Sequence, residues 1–430
     1  MKTGVGQIVR DAVVRRHRPD YQIILYMGLL MLLGLIVMYA IGPQRANVLN
    51  NAYNTNYYSS IYFFVKQSTS LGLAAVAFIM FAVIPFDWIK KNATKVLLIG
   101  LGACVLLVIT GNMLHLGSIA YCANGACRWF TLGPLGTLQP AEILKLGVLV
   151  FMAGFFGMRA KQGLINDFQR TIVPFLTLIG ITAVLVVVIQ KDMGTGIALM
   201  AIMMTMLIVA GVKWQMIAKI GGILLVGGIL MILIAPHRLE RIATFFKGDN
   251  TSASQQNSYQ ITHAKIAIGS GGLFGVGIGN SVEATGYLPE AINDSVFAIM
   301  GETFGFVGLT VILMLFTALL MRLIKIVDHL PDMWMRLIVA GVFGWLMAHV
   351  ILNVAAMIGV FPLTGITLPL LSFGGTSMIF ISAALGLAFQ ISRYTAHGPV
   401  IKENNEHEDI SSRRRVGRTR YASRRSTPRT

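Results

Sequence analysis

Apolar residues in this chain form long runs that are separated by shorter polar segments. Ten runs are about 18 to 25 residues long, the length that an α-helix needs to cross a hydrocarbon core at a rise of 1.5 Å per residue. The pattern therefore predicts an all-α integral membrane protein of about ten transmembrane helices. The predicted spans are Tyr21–Gly42, Ser60–Pro85, Val96–Met113, Leu138–Met158, Ile172–Gln190, Gly194–Gly211, Met216–Ala235, Asp294–Met321, Met335–Gly359 and Ile366–Phe389.

The distribution of basic residues predicts the orientation of these spans. With the N-terminus inside, the cytoplasmic segments hold 26 of the 35 Lys and Arg residues, as the retention of cations on the cytoplasmic side requires. Both termini are then cytoplasmic. Two long segments become external: 114–137, and the larger loop 236–293 between the seventh and eighth helices.

The composition supports this class and defines the ends of the chain. Hydrophobic residues make up 55% and charged residues 12% of the chain, against roughly 25% charged in soluble domains, so a soluble fold is excluded. We expect a cytoplasmic segment at 1–20, a membrane catalytic domain at 21–393 and a basic, disordered cytoplasmic tail at 394–430. The net charge of +17 mainly reflects topology, and we expect the tail to lie near anionic headgroups and not to bind nucleic acid.

The three cysteines predict at most one disulfide. Cys104 lies inside the third predicted span, whereas Cys122 and Cys127 share one external loop, where oxidising conditions allow a bridge without requiring it. The sequence contains no HExxH motif and no paired Cys/His spacing, so we expect no metal site built from protein ligands alone.

Ionisable residues inside apolar spans are costly and mark candidate functional sites. Glu142 and Lys145 are three residues apart, on one helical face, and could form either a structural pair or part of a catalytic site. Asp192 lies at a turn. Asp294 at the start of the eighth span could be a helix N-cap or a catalytic base, with Glu302 two turns further on nearly the same face.

Three further features admit two readings each. Arg128 could bind a phosphate, or form an interfacial anchor with its neighbour Trp129. The glycine-rich segment 269–279 could bind an anion through its amides, although close packing of a re-entrant segment suits it better. The Pro and Gly residues at 362–375 could break a helix to line a cavity, or only kink it.

Five motifs in order resemble the SEDS (shape, elongation, division and sporulation) family of glycosyltransferases, and its cell-division branch more than its elongation branch. The resemblance covers nearly the whole predicted membrane domain. The motifs are Arg128-Trp129 with Gly133-Pro134; Gln139-Pro140-Ala141-Glu142 with Lys145; Gln190-Lys191-Asp192-Met193-Gly194-Thr195; Leu288-Pro289-Glu290-Ala291-Ile292-Asn293-Asp294 with Gly301-Glu302; and Asn353 through Pro362 and Thr364-Gly365 to Ser372-Phe373-Gly374-Gly375.

This resemblance implies a peptidoglycan glycosyltransferase that polymerises lipid II at the outer face of the bacterial cytoplasmic membrane, at the division septum. Asp294 matches the family's essential aspartate and would act as general base. Arg128, with Mg or Mn held by the substrate pyrophosphate, would neutralise the leaving group. The predicted substrate-binding or supporting residues are Arg128, Glu142, Lys145, Asp192, Glu290, Glu302 and Ser372.

The implied partners are lipid II, the nascent glycan strand, a class B penicillin-binding transpeptidase and other membrane proteins of the division machinery. Two rival functions stay open at this point. A flippase for the same lipid would use the intramembrane charges as its pathway. A scaffold that only recruits a transpeptidase would not need Asp294.

Overall fold

The computed structural model describes residues 18–123, 126–133, 136–233 and 252–395. Within these ranges, eight helices are long and apolar enough to cross a membrane, and two shorter helices are similarly apolar. The helices are α1 (Tyr21–Tyr53), α2 (Tyr62–Val83), α3 (Phe86–Val108, continued as a π-helix at Ile109–Met113), α4 (Pro140–Lys161), α5 (Phe168–Ile189, with π-helical ends), α6 (Met193–Val209), α7 (Trp214–Leu233), α8 (Ser252–Ser270), α9 (Val296–His329), α10 (Met333–Met357) and α11 (Gly375–Ile391).

Each of the ten predicted spans corresponds to a helix, but four boundaries were wrong by eight or more residues. α1 ends at Tyr53 and not at Gly42, α9 ends at His329 and not at Met321, and the starts of α3 and α11 also differ. α3 begins at Phe86, ten residues before the predicted start at Val96, because its first turns carry charged side chains at exposed positions and buried Ile89 and Ala93 on the inner face. α11 begins at Gly375, since 358–374 is mostly non-helical. Of the two alternatives left open for the Pro and Gly residues at 362–375, a broken helix is therefore the one that the structure has.

Small residues allow a close crossing of α3 and α4. A Cβ atom at Gly100 of α3 would lie 2.7 Å from the Cα atom of Leu144, and one at Gly147 of α4 would lie 2.8 Å from the Cα atom of Leu97. Real side chains do not tolerate such contacts, so the two backbones touch directly, as glycine permits in membrane helices. The crossing positions the N-terminal turns of α4.

A small antiparallel sheet connects α3 to α4. Its strands are β1 (Ala120–Ala123), β2 (Ala126–Thr131) and β3 (Thr137–Leu138), in the order β1-β2-β3. Cys122 and Cys127 are register partners in the β1–β2 hairpin and form a disulfide, which resolves the alternative that the sequence left open. We call the side of the protein that carries this sheet the hairpin face.

The segment predicted as a large external loop is partly helical. Its described part contains α8 and a 3₁₀ turn at Glu283–Thr285, and α8 packs against α9. The sequence analysis did not predict α8 within this segment, because α8 is short of apolar residues and lacks the hydropathy of a span. The ends of the chain that we predicted to be cytoplasmic, residues 1–17 and the tail from 396, lie outside the described residues.

The glycine-rich segment after α8 packs against a break in α9. Gly305 has φ 67° and ψ −168°, which no helix contains. The amide of Val276 donates to the carbonyl of Glu302 (2.9 Å), and the amide of Phe306 donates to the carbonyl of Gly272 (2.9 Å). Close packing is therefore the correct reading, because the segment supplies hydrogen-bond partners that the break removes from the helix.

Candidate functional site

Three non-helical segments meet at the hairpin face. They are the Gln190–Asp192 turn, the Leu288–Ser295 turn and residues 358–374. The amide of Phe373 donates to the carbonyl of Ile292 (2.8 Å), which joins the last two. A Cβ atom at Gly194 would lie 3.1 Å from the carbonyl oxygen of Thr364, which brings the first segment against the third. Irregular backbone at a membrane face is tolerated where it packs on protein or lines a cavity.

Asp294 lies in the second of these segments and not in a helix. α9 begins at Val296, and its N-cap position, Ser295, makes no side-chain cap hydrogen bond. Two neighbours fix the turn: Asn353 Nδ2 donates to the carbonyl of Asp294 (2.7 Å), and Gln260 Nε2 donates to Ser295 Oγ (2.9 Å). The prediction that Asp294 begins the helix was wrong, which removes the main support for its reading as a cap.

The environment of Asp294 favours proton transfer. The side chain is partly buried, and its Oδ1 atom is enclosed by protein without a hydrogen-bond partner among the described residues. Burial, followed by the negative charge of the exposed Glu290, raises the pKa of Asp294 to about 7. A carboxylate with a pKa near neutrality can accept a proton and release it again, which a general base must do.

Glu142 and Lys145 form a buried ion pair. Lys145 Nζ lies 2.8 Å from Glu142 Oε1, and both side chains are at most 3% exposed. The same ammonium lies 3.4 Å from His349 Nε2 and 4.7 Å from the ring centre of Trp345. The pair thus joins α4 to α10, which supports its structural reading. In the described part of the chain no hydrogen bond or ion pair links either residue to Asp294, so any orienting effect must pass through α10.

His349 is a residue of this cluster that the sequence analysis missed. Its Nδ1 atom lies 3.4 Å from the carbonyl of Thr367, in the segment 358–374. It is four residues from Asn353 on the same face of α10, and Asn353 also donates to the carbonyl of Ile366 (2.8 Å). The rule that selected Glu142, an ionisable residue within an apolar span, would also have found it.

Arg128 and Asp192 hold the first segment in place. Arg128 donates through Nη2 to the carbonyl of Lys191 (2.7 Å) and through Nε to that of Gln190 (3.3 Å). Asp192 caps α6 by accepting from the Thr195 amide (2.9 Å), and also accepts from Gln139 Nε2 (2.9 Å). Arg128 is therefore already engaged with backbone carbonyls, and its binding of a phosphate stays a prediction.

Glu302 does not face Asp294. Its carboxylate accepts from Ser281 Oγ and from the amides of Val282 (2.8 Å) and Glu283 (3.3 Å). The prediction that Glu302 and Asp294 share a helical face was wrong, because Asp294 precedes the helix. Glu302 instead fixes the loop that leads to the Asp294 turn.

Ser372 and His263 make local contacts near the same face. Ser372 Oγ accepts from the amide of Leu368 (2.8 Å) and so closes a turn of the segment 358–374.

His263 Nδ1 lies 2.8 Å from Glu283 Oε2, in a second ionisable pair that the sequence analysis did not identify. Within the described ranges, no group of three His, Cys, Asp or Glu residues could hold a metal ion. Participation of a divalent cation held by the substrate stays a prediction.

The described residues thus define a polytopic α-helical membrane protein whose buried ionisable residues gather near one face, around a carboxylate in non-helical backbone. The chain matches the model of the FtsW/RodA/SpoVE cell cycle proteins over residues 21–397. It belongs to this family, which is the SEDS family that the motifs indicated.

Two relatives of known name align with this chain over most of their own length. The chain is 31% identical over 384 residues to stage V sporulation protein E of Bacillus subtilis (strain 168), covering 89% of this chain and 99% of the relative. It is 36% identical over 332 residues to a protein of Aliivibrio salmonicida (strain LFI1238) named probable peptidoglycan glycosyltransferase FtsW, covering 75% and 78%.

Solved structures share the fold. A chain from a peptidoglycan synthase complex that coordinates polymerisation and crosslinking superposes with a TM-score of 0.66 at 24% identity, covering 87% of this chain and 98% of that one. The rod shape determining protein RodA of Thermus thermophilus gives a TM-score of 0.59 at 22% identity, covering 88% and 98%. At this identity the likeness establishes the fold alone.

Proposed function

We propose that this protein is a peptidoglycan glycosyltransferase that polymerises lipid II into glycan strands at the outer face of the cytoplasmic membrane. One observation carries the proposal: Asp294 is held in a fixed turn at the hairpin face with a pKa of about 7. Membership of the family and the names of relatives support the same activity.

The reaction needs one base and a stabilised leaving group. Asp294 accepts the proton of the acceptor sugar's hydroxyl as that oxygen forms a bond to the anomeric carbon of the lipid-linked strand. The bond from that carbon to the pyrophosphate breaks, and undecaprenyl pyrophosphate leaves with the electron pair. A pyrophosphate leaving group needs positive charge more than a general acid, and Mg or Mn bound to its phosphates would supply part of it.

The same relatives support a place for this activity in the cell. Several of them carry the name FtsW, and we propose that the protein acts in cell division at the septum. A synthase complex among the structural neighbours joins polymerisation to crosslinking. We therefore assign a class B penicillin-binding transpeptidase, with other division proteins of the membrane, as partners that crosslink the strands made here.

The polar residues argue against the two rival functions. A flippase needs polar groups through the whole depth of the membrane. Among the described residues, four ionisable residues that are buried inside helices lie within a few turns of the hairpin face: Glu142 and Lys145 in the first two turns of α4, Glu302 in the second turn of α9, and His349 in the outer third of α10. At the opposite end, Asp20 and Arg322 form an ion pair before α1 and near the end of α9, outside the helix interiors. A scaffold would not need Asp294 with an unpartnered, enclosed oxygen.

The proposal is tested by polymerisation of fluorescent lipid II with purified protein, alone and with a co-purified transpeptidase. Asp294→Asn should abolish polymer formation while the protein still inserts and binds its partner. Asp328→Asn is the matched control, because it makes the same chemical change at an exposed position near the opposite end of α9. Polymer from Asp294→Asn would refute the assignment of the base, and no polymer from wild type with its partner would refute the glycosyltransferase itself.

A further inference from the structure

Lys265 of α8 lies over a glycine near the Asp294 turn. A Cβ atom at Gly359 would lie only 2.5 Å from Lys265 Nζ and 3.4 Å from Ile261 Cγ2. Gly359 also has φ 74°, a conformation that L residues rarely adopt. The backbone conformation therefore favours glycine at this position, and the absence of a side chain leaves room for the end of Lys265 beside it.

α8, which carries Lys265, and α10, which precedes Gly359, both form hydrogen bonds with the Asp294 turn. Gln260, five residues earlier in α8, bonds Ser295, and Lys265 follows at about 7.5 Å along the helix axis, given a rise of 1.5 Å per residue. Gly359 follows the end of α10, whose Asn353 bonds the carbonyl of Asp294. The ammonium group is thus placed at the border of the proposed site by two independent connections.

Two cations that the sequence predicted for the site already have partners inside the protein. Lys145 is buried against Glu142, and the guanidinium of Arg128 donates to two backbone carbonyls. Lys265 is exposed, and it takes part in none of the ion pairs found between described residues. A compact ammonium on a flexible stem binds phosphate as a point charge.

We propose that Lys265 binds the pyrophosphate group of the lipid-linked substrate and steadies the charge that develops when this group leaves. This assignment rests on the proposed function and gives its leaving-group site a residue. Phospholipid headgroups carry the same phosphate chemistry, so the test must separate a substrate pyrophosphate from the phosphate of the surrounding lipid.

The test measures equilibrium binding of farnesyl pyrophosphate, a soluble short-chain probe, to full-length protein in nanodiscs of neutral lipid. Lys265→Met should weaken binding about tenfold, as loss of one charged hydrogen bond implies, and Lys265→Arg should restore most of it. Lys66→Met is the matched control, since Lys66 is also exposed and its ammonium donates to the hydroxyl of its neighbour Tyr62 in α2 (3.3 Å). It should bind like wild type.

Three results would overturn the proposal: wild type that does not bind the probe, Lys265→Met that binds as wild type does, and a loss shared equally by Lys66→Met. Nanodiscs containing phosphatidylglycerol provide the second arm. If Lys265→Met lowers retention of that lipid but leaves probe binding unchanged, Lys265 binds headgroups and the proposal fails.

Binding of the probe requires no chemistry at Asp294, so it is measured equally in Asp294→Asn protein. Failure of the proposed function would appear as polymerisation that survives Asp294→Asn, while failure of this inference would appear in the binding assay alone. In turnover assays, Lys265→Met should raise the KM for lipid II and lower kcat, because the charge on the pyrophosphate grows in the transition state.

Discussion

The substitution Asp294→Asn should raise the free energy of unfolding near neutral pH, although it also abolishes activity. The folded protein holds this carboxyl at a pKa of about 7 against an ordinary value of 3.8. At about 1.36 kcal/mol per pKa unit this corresponds to about 4 kcal/mol against folding once the group is ionised, and we expect about 2 to 4 kcal/mol because the side chain is partly open to solvent.

The sign of the effect fixes its pH dependence. Because the folded pKa is raised, the contribution of Asp294 to stability is fully present below about pH 4 and is lost as the pH rises through about 7. Asn cannot ionise, so the stability gained by Asp294→Asn should grow from pH 5 to 8 and then level off. Such a gain at the cost of activity is typical of strained functional sites.

Thermal unfolding of purified protein in detergent, followed by tryptophan fluorescence at pH 5, 6, 7 and 8, measures this difference. Asp328→Asn should show no pH-dependent gain, since Asp328 is exposed. Equal midpoints for wild type and Asp294→Asn at every pH would show that Asp294 is not held against ionisation, and the reasoning about its pKa would be refuted.

Three further predictions follow from the same geometry. Polymerisation should rise with pH through about 7, and Glu290→Gln should move this inflection to lower pH by removing the nearby negative charge; an unmoved inflection in the pH–rate profile would contradict this. Lys145→Met should lower the free energy of unfolding by about 3 to 5 kcal/mol, because it leaves Glu142 buried and unpaired, and adding Glu142→Gln should recover part of the loss. If the effects of the two single substitutions simply add in the double variant, the two side chains do not stabilise each other. Gly305→Ala should destabilise by about 1 to 3 kcal/mol, since φ is 67° and the new Cβ would meet the backbone of the glycine-rich segment; an unchanged unfolding midpoint would refute this.

Much of the fold followed from the sequence because hydropathy is a strong local signal. Each of the ten apolar runs overlaps a helix. The motif residues Arg128, Asp192 and Asp294 lie at the hairpin face, the side on which we expected them. α8 was missed because its mixed, polar sequence is stabilised by tertiary packing on α9, which no window of hydropathy can detect. The early start of α3 was missed for a related reason, since exposed lysines at a membrane edge do not end a helix.

The candidate site was predicted less completely, because its partners are distant in sequence. Glu302 was assigned to Asp294 on helical spacing, but the two non-helical residues before α9 change the direction of the chain and invalidate that spacing. The engagement of Arg128 with the Gln190–Lys191 carbonyls and of Asn353 with the Asp294 carbonyl depends on how separate helices pack. Only His349 could have been found earlier by a rule already in use.

The break at Gly305 divides α9 mechanically. Its outer two turns are bonded to the glycine-rich segment through the amides of Val276 and Gly277, and the longer inner part begins with amides that bond Gly272 and Leu273. Both parts of α9 are thus bonded to the same segment, so the break at Gly305 is braced from outside the helix by the chain that follows α8. A force on the Asp294 turn is therefore shared between α9 and the glycine-rich segment, and the broken helix keeps its direction across Gly305 without an intact ladder of its own.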